Sequence, residues 1–209
     1  IQWAKDNLQP HFIPGEGFHY SDTGYQLLGL IIENITGRPM HESLHEYIFD
    51  PLNMNHSYQI FYSEPVMMSP YPMADLYLDK NEVSTFRSVS VDWAGGGIVS
   101  NTEDLLLFHR ALANNTLLKE ETFNMWKDWA KFGRGIDYGY GLVSLDFKKM
   151  MFFLPDKLNM WGNWGSTSTY MFYNPFYDIY IIGAFNQTKF IRKQVQFMIK
   201  VINIVAKQP

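Results

Sequence analysis

Cysteine is absent from the 209 residues. That excludes disulfide frameworks, thiolate zinc sites, iron–sulfur clusters and a cysteine nucleophile together. It fixes no compartment, because chains without cysteine occur inside and outside cells. A basic excess is also missing. Lys and Arg number 17 against 21 Asp and Glu, a net charge of −4, and no basic stripe runs along the chain, so no nucleic-acid partner is expected. No segment reaches about 18 consecutive apolar residues, so no spanning helix is expected. No charged stretch followed by an apolar run opens the chain, so no signal peptide is expected either. The opening Ile1-Gln2-Trp3-Ala4-Lys5 carries no initiator Met and reads like the interior of something longer. There is no internal repeat and no low-complexity tract.

What is present is a core. Hydrophobic residues make up 46% and charged residues 18%, a globular balance, and a chain this long needs no disulfide or metal staple. The 16 Phe, 13 Tyr and 6 Trp suit either a ring-lined cleft or a core built from rings in place of aliphatics. Residues 1–21 read as a short helix and a loop with breakers at Pro10, Pro14, Gly15 and Gly17. Residues 23–36 form a strong helix with an apolar stripe of Leu27, Leu28, Ile31, Ile32 and Ile35, capped by Ser21 or Asp22 and stopped by Gly37. A second short helix covers about 40–49 and ends before Pro51. Residues 53–92 are irregular. Ser100 with Glu103 makes a capping-box pair for a helix to about 113, and another helix spans roughly 120–131.

After Gly133 the pattern alternates. Strands are expected from Tyr138 to about Phe147 and at 151–154, 159–164, 168–173 and 179–186, with a closing helix over about 190–206. Short loops between them imply antiparallel pairing. Helices and loops over 1–132, then an antiparallel sheet and packing helix over 133–209, give an α+β order.

Several local motifs fail on inspection. His41-Glu42-Ser43-Leu44-His45 matches the zinc-peptidase pattern H-E-x-x-H, but Pro51 cuts the helix short and Glu64 lies in a loop beside Pro65. The expectation is a solvated helix face without metal. Gly95-Gly96-Gly97 lacks the lysine of a phosphate-binding loop, and no G-x-S-x-G elbow exists. The four N-x-S/T triplets carry no weight.

Taken together, three segments say more: Tyr20-Ser21-Asp22 opening the first strong helix, Trp93-Ala94-Gly95-Gly96-Gly97-Ile98-Val99-Ser100 before another, and Gly162-Asn163-Trp164-Gly165-Ser166-Thr167 on an expected strand. Their order and spacing, with Ile48-Phe49-Asp50-Pro51-Leu52-Asn53-Met54, resemble the serine β-lactamase-like superfamily. That superfamily comprises class C β-lactamases, low-molecular-weight penicillin-binding proteins and related esterases.

The resemblance implies a β-lactamase/transpeptidase-like α+β fold and acyl transfer through a serine acyl-enzyme on a peptide, β-lactam or ester. Tyr20 would be the proton relay of the family's Y-x-N motif, with Asp22 in place of Asn. Asn163-Trp164-Gly165 would be the K-T-G or H-x-G strand. There Asn163 and Asp22 would be substrate contacts, Gly165 would admit the substrate backbone, and the Ser166 N–H would be an oxyanion donor. Tyr20 and this strand should face one site, with the Trp93–Gly97 loop nearby. Asn163 in place of a cation favours a neutral ester or amide over a free carboxylate. No Ser has Lys three residues on, and Thr116-Leu117-Leu118-Lys119 lies after the Tyr motif, in a loop. The chain therefore resembles the C-terminal part of the domain, with the Ser/Lys pair, first helix and first strands upstream. The expected partners are that upstream part and a small-molecule or peptide substrate. No cofactor or metal is implied, self-association of the chain alone is expected, and the resemblance points to the cell envelope or exterior. The rival reading is a non-catalytic peptide- or peptidoglycan-binding module of the same fold.

Overall fold

The computed structural model describes residues 2–206. A short helix α1 (Gln2–Asn7) and a loop lead to α2 (Asp22–Thr36). The Ser21 hydroxyl caps α2 by accepting from Gly24 N–H, and Gly37, at φ 67°, closes it by donating to the Glu33 carbonyl. The expected apolar stripe exists but is not covered. Leu28 is 53% exposed, Ile31 51% and Ile35 76%, and the buried residue of α2 is Gly29. Helix α3 (Met40–Leu44) runs on into a π-helical turn over His45–Phe49, closed by Asp50 N–H to the His45 carbonyl at 2.9 Å. This unit packs Leu44, Phe49 and Met54 into a small core of its own.

Strand β1 (Tyr58–Gln59) pairs antiparallel with β4 (Ile98–Val99), and a small hairpin of β2 (Tyr77–Leu78) and β3 (Asn81–Glu82) lies between them in sequence. Helix α4 (Thr102–Ala113) follows. Its cap differs from the expected box: Asn101, one residue on from Ser100, accepts from Asp104 N–H at 2.8 Å. Ser100 instead bonds Ser57 Oγ at 2.7 Å, and Ser57 Oγ donates to the buried Asp104 carboxylate at 2.9 Å. A tertiary partner has captured the side chain that the local pattern assigned to capping.

Helix α5 (Glu120–Trp126) is shorter than expected, because residues 130–133 join the sheet as β5 (Ala130–Gly133). The sheet continues through β6 (Ile136–Tyr138), β7 (Val143–Leu145), β8 (Met160–Trp164), β9 (Thr169–Asn174) and β10 (Ile179–Ala184). These form a six-stranded antiparallel meander in chain order. No strand forms at 151–154. A one-turn helix α6 (Phe147–Met150) and a following turn occupy that region, with Phe147 N–H donating to Asn159 Oδ1.

Period-two alternation along β9 explains the layering. Tyr170 and Phe172 face a core shared with Met198 and Ile202 of α7 (Ile191–Val205). Tyr173 on the opposite face, with Trp161 of β8 and Tyr180 of β10, surrounds His109 of α4. The sheet is thus sandwiched between α7 and α4, an α+β architecture. Its two edges differ. β5 carries Lys131 and a register shift that disrupts pairing, whereas β10 reads Ile-Tyr-Ile-Ile-Gly-Ala with no charge.

Candidate active site

Tyr20 stands immediately before α2. Because Ser21 does the capping, the Asp22 carboxylate is free to accept from the Tyr20 hydroxyl, at 2.9 Å. The Tyr20 ring lies in an aromatic corner, with centroids 5.8 Å from Tyr25 and 5.5 Å, edge-on, from Tyr138. The Tyr25 and Tyr138 hydroxyls meet at 2.5 Å and tie α2 to β6. Phe18 packs on Tyr138 and edge-on against Phe132. Burial, reinforced by the Asp22 carboxylate, holds the Tyr20 phenol protonated well above the usual tyrosine range. Burial raises Tyr138 in the same way, with the Tyr25 hydroxyl adding to it. Asp92 is raised too, first by burial and then by the charge of Asp22, so a second carboxylate lies close to the pair.

The other sequence-expected residues lie at the end of β8. Asn163 Nδ2 donates to the Gly141 carbonyl at 2.9 Å, and its Oδ1 accepts from Trp164 N–H at 2.8 Å. Gly141, at φ 80°, leaves only 4.0 Å between where a Cβ would stand and the Tyr25 hydroxyl. Contacts run from Tyr20 to Tyr25, by the Tyr25–Tyr138 hydrogen bond into β6, and by the pairing of Tyr138 with Val143 and of Val143 with Gly162 to the neighbour of Asn163. Asn163 holds the Gly139–Gly141 turn against β8, and its second amide N–H has no hydrogen-bond partner among the described residues.

Gly165 and Ser166 lie beyond the end of β8, not on it. Gly165 N–H donates to the Thr169 carbonyl at 2.8 Å, its carbonyl accepts from Ser168 N–H, and Ser166 is exposed in this β8–β9 turn. Among the described residues no hydrogen bond engages the Ser166 N–H, and none joins Gly165 or Ser166 to Tyr20. The expected strand position becomes a turn because Ser168 adopts φ 61° and its buried hydroxyl donates to the Gln187 carbonyl.

The Trp93–Gly97 loop packs on α2. A Cβ at Gly29 would overlap Ala94 Cβ and stand 2.9 Å from the Trp93 ring, so glycine permits this approach. Two glutamines clamp the loop. Gln26 of α2 donates to the Val91 carbonyl at 3.0 Å, and the buried Gln59 of β1 donates to the Trp93 carbonyl at 3.0 Å. Trp93 itself is held at φ 16°, ψ −100°. Sequence reasoning missed Tyr25, Gln26, Gln59, Asp92, Tyr138 and Gly141. The one local signal was the Tyr138-Gly139-Tyr140-Gly141 run, where glycines flank an aromatic at a strand break.

His41 and His45 edge a shallow surface hollow with Glu42, Asp50 and Pro51. Arg38 pairs there with Glu46, and His45 Nδ1 lies 3.4 Å from Asp50. Among the described residues no group of three His, Asp or Glu could hold a metal ion. Thr116 donates its hydroxyl to the Ala111 carbonyl in the turn after α4, which fits a structural role for the Thr116–Lys119 tetrad.

The family model described as Beta-lactamase matches residues 4–196. The chain belongs to the beta-lactamase family. Penicillin-binding protein 4* of Bacillus subtilis is 30% identical over 157 residues, covering 66% of this chain and 34% of that protein. The fold matches a D-stereospecific amidohydrolase from Streptomyces with TM-score 0.73 and 24% identity, over 90% of this chain and 56% of that one. It also matches a D-amino acid amidase from Ochrobactrum anthropi with TM-score 0.71 and 21% identity, over 94% of this chain and 60% of that one. The chain thus spans about a third of its curated relative, at 34%, and 56% and 60% of the two solved structures. The start of α2 at Tyr20, the Trp93–Gly97 loop, and the end of β8 with its turn are where the structure places the three segments on which the sequence resembled that family.

Proposed function

We propose that this chain is the C-terminal portion of a serine hydrolase that transfers an acyl group from an amide, peptide or ester through an acyl-enzyme on a serine lying upstream. The observation that supports this reading is that the Tyr20–Tyr25 pair is bonded through the Tyr25 hydroxyl to Tyr138 of β6, the strand that pairs through β7 with β8, where Asn163 lies. The upstream Ser/Lys pair supplies the nucleophile and its base. Tyr20 handles the proton at the attacking oxygen, and the Ser166 N–H, unbonded among the described residues, donates to the developing oxyanion. The absence of a cation at Asn163, with Asp22 and Asp92 close by, favours neutral amides and esters over substrates with a free carboxylate. The uncovered face of α2 and the uncharged edge of β10 are where the upstream part would pack.

Labelling tests this. The 209-residue chain alone should take up no fluorophosphonate or penicillin probe. A protein that includes the upstream segment should label at its S-x-x-K serine, and Tyr20→Phe should slow turnover by roughly 10²–10⁴. Stoichiometric labelling of a serine within this chain would refute the reading. A non-catalytic peptide-binding module is favoured by two features, the carboxylate at position 22 and the internally bonded Asn163. An upstream segment without S-x-x-K would decide for the module.

A further inference from the structure

We propose that Ser168 is a positioning residue for the oxyanion donor: its buried hydroxyl, latched onto the Gln187 main chain, sets the turn from which the Ser166 N–H points. The inference rests on the hydrolase reading above, in which that N–H meets the oxyanion.

Gly165–Ser168 form a tight turn closed by Ser168 N–H to the Gly165 carbonyl at 3.0 Å. Ser166 and Thr167 are its central residues, and neither N–H has a hydrogen-bond partner among the described residues. The turn is held instead by the segment that follows β10. Phe185 N–H donates to the Ser168 carbonyl at 3.1 Å, Gln187 N–H to the Thr167 carbonyl at 3.0 Å, and the Ser168 hydroxyl to the Gln187 carbonyl at 2.6 Å. The Thr167 and Ser168 carbonyls are thereby committed to residues 185–187, while the two central N–H groups stay unengaged.

Two features single out Ser168. It stands at φ 61°, in the left-handed region that glycine occupies most easily, yet it carries a side chain. That side chain is fully buried, and its hydroxyl goes to the Gln187 carbonyl. A glycine would make the turn more easily and could not make this bond. The Gln187 side chain carries the restraint onward. Its Nε2 donates to the Asp79 carbonyl in the β2–β3 hairpin at 2.6 Å, and its Oε1 accepts from Lys189 N–H at 3.3 Å. With both ends of the amide engaged, the main chain that Ser168 grips is fixed. Tyr77 N–H, donating to the Asn186 carbonyl at 2.9 Å, seats the same hairpin beside it. An oxyanion donor works by being aimed before the charge develops, and misplacement by about 1 Å can slow a reaction about 10²-fold.

The test uses the protein that includes the upstream segment, with amino-acid amide substrates. Ser168→Gly removes the hydroxyl while easing the backbone. It should lower kcat by about 10–10² and leave KM within about threefold. Its second-order rate of inactivation by a fluorophosphonate should fall in parallel, because the phosphonyl oxygen needs the same donor. Gln187→Ala should lower kcat by about 3–10-fold, and the double variant should be no more than about twofold slower than Ser168→Gly, because the two residues act as a unit. Lys189→Ala removes only the exposed ion pair to Asp79 and should leave kcat within about twofold. Wild-type kcat in Ser168→Gly, a loss confined to KM, or effects that multiply in the double variant would overturn the positioning role and leave the hydrolase reading intact. Should Ser168→Gly fail to fold, Gln187→Ala decides by the same criterion: wild-type kcat there overturns the role. Absence of any acyl-enzyme in the unmutated protein would overturn both.

Discussion

The buried imidazole of His109 makes the stability of this fold depend on pH in a calculable way. His109 lies on α4 with no exposed surface, and neither ring nitrogen has a hydrogen-bond partner among the described residues. Its ring centroid is 4.8 Å from Trp161, 5.7 Å from Tyr180 and 6.4 Å from Tyr173. Charged groups contact the rings of this cage. Arg110 lies over Tyr180 and Lys127 over Phe123 and Trp161, while Asp178 accepts from the Tyr173 hydroxyl. With no carboxylate bonded to the imidazole, burial holds its pKa down to about 4, against 6.5 for a free histidine.

Between those values the unfolded chain binds more protons than the folded one. Stability is therefore complete above pH 6.5, declines as pH falls, and levels off below about 4. The interval corresponds to about 3 kcal/mol in full, and to about 2 kcal/mol between pH 7.5 and pH 5. Urea unfolding followed by tryptophan fluorescence at those two pH values measures it, because Trp161 reports directly on the contact. His109→Phe keeps a ring in the cage and removes the titration. It should cut the pH-dependent loss by about 2 kcal/mol and leave stability at pH 7.5 unchanged or higher, since two unbonded polar atoms leave the core. An unaltered pH dependence in His109→Phe would refute the argument. So would a loss of more than about 3 kcal/mol at pH 7.5, which would mean the nitrogens are bonded in solution.

Other perturbations follow from the same packing. Gly29→Ala gains up to about 1 kcal/mol of helix propensity but forces a methyl into Ala94 and the Trp93 ring, so a net loss of about 1–2 kcal/mol is expected in thermal melts. A stabilised variant would show that the Trp93–Gly97 loop is not seated on α2. Asp104→Ala strands the His56 N–H and leaves the buried Ser57 hydroxyl only Ser100 Oγ inside the β1–α4 junction, and should cost about 2–3 kcal/mol, whereas exposed Glu103→Ala one residue away should stay within about 0.5 kcal/mol. Equal effects would contradict the buried network. Elemental analysis should find no stoichiometric zinc, and chelator should leave the melting temperature unmoved; about one zinc per chain, lost in His45→Ala, would revive a metal site at His41 and His45.

The sequence by itself determined where elements begin and end when the signal is local. Ser21 and Gly37 bound α2 because a hydroxyl cap and a left-handed glycine act within one turn of the residues they finish. The β8–β9–β10 hairpins and α7 follow from periodicity that each segment carries alone, and the family motifs at Tyr20, Trp93–Gly97 and Asn163–Ser166 were legible as strings. Tertiary structure decided whatever depends on a distant partner. The stripe on α2 is a fact of the sequence, but its exposure depends on what packs there. Trp129 and Ala130 fit a helix face as well as a strand, and pairing of Ala130 with Tyr138 settled Ala130 into β5. Ser100 and Asn101 could both cap α4, and Ser57 drew Ser100 away. Asn163 read as a substrate contact, and only the tertiary structure shows its amide also bonded to the Gly141 carbonyl and the Trp164 N–H. The link that joins the halves of the site, Tyr25 to Tyr138, spans 113 residues, and no local pattern encodes a hydrogen bond between phenols that far apart. Such contacts form only once loop closure is offset by packing of the whole sheet against its helices.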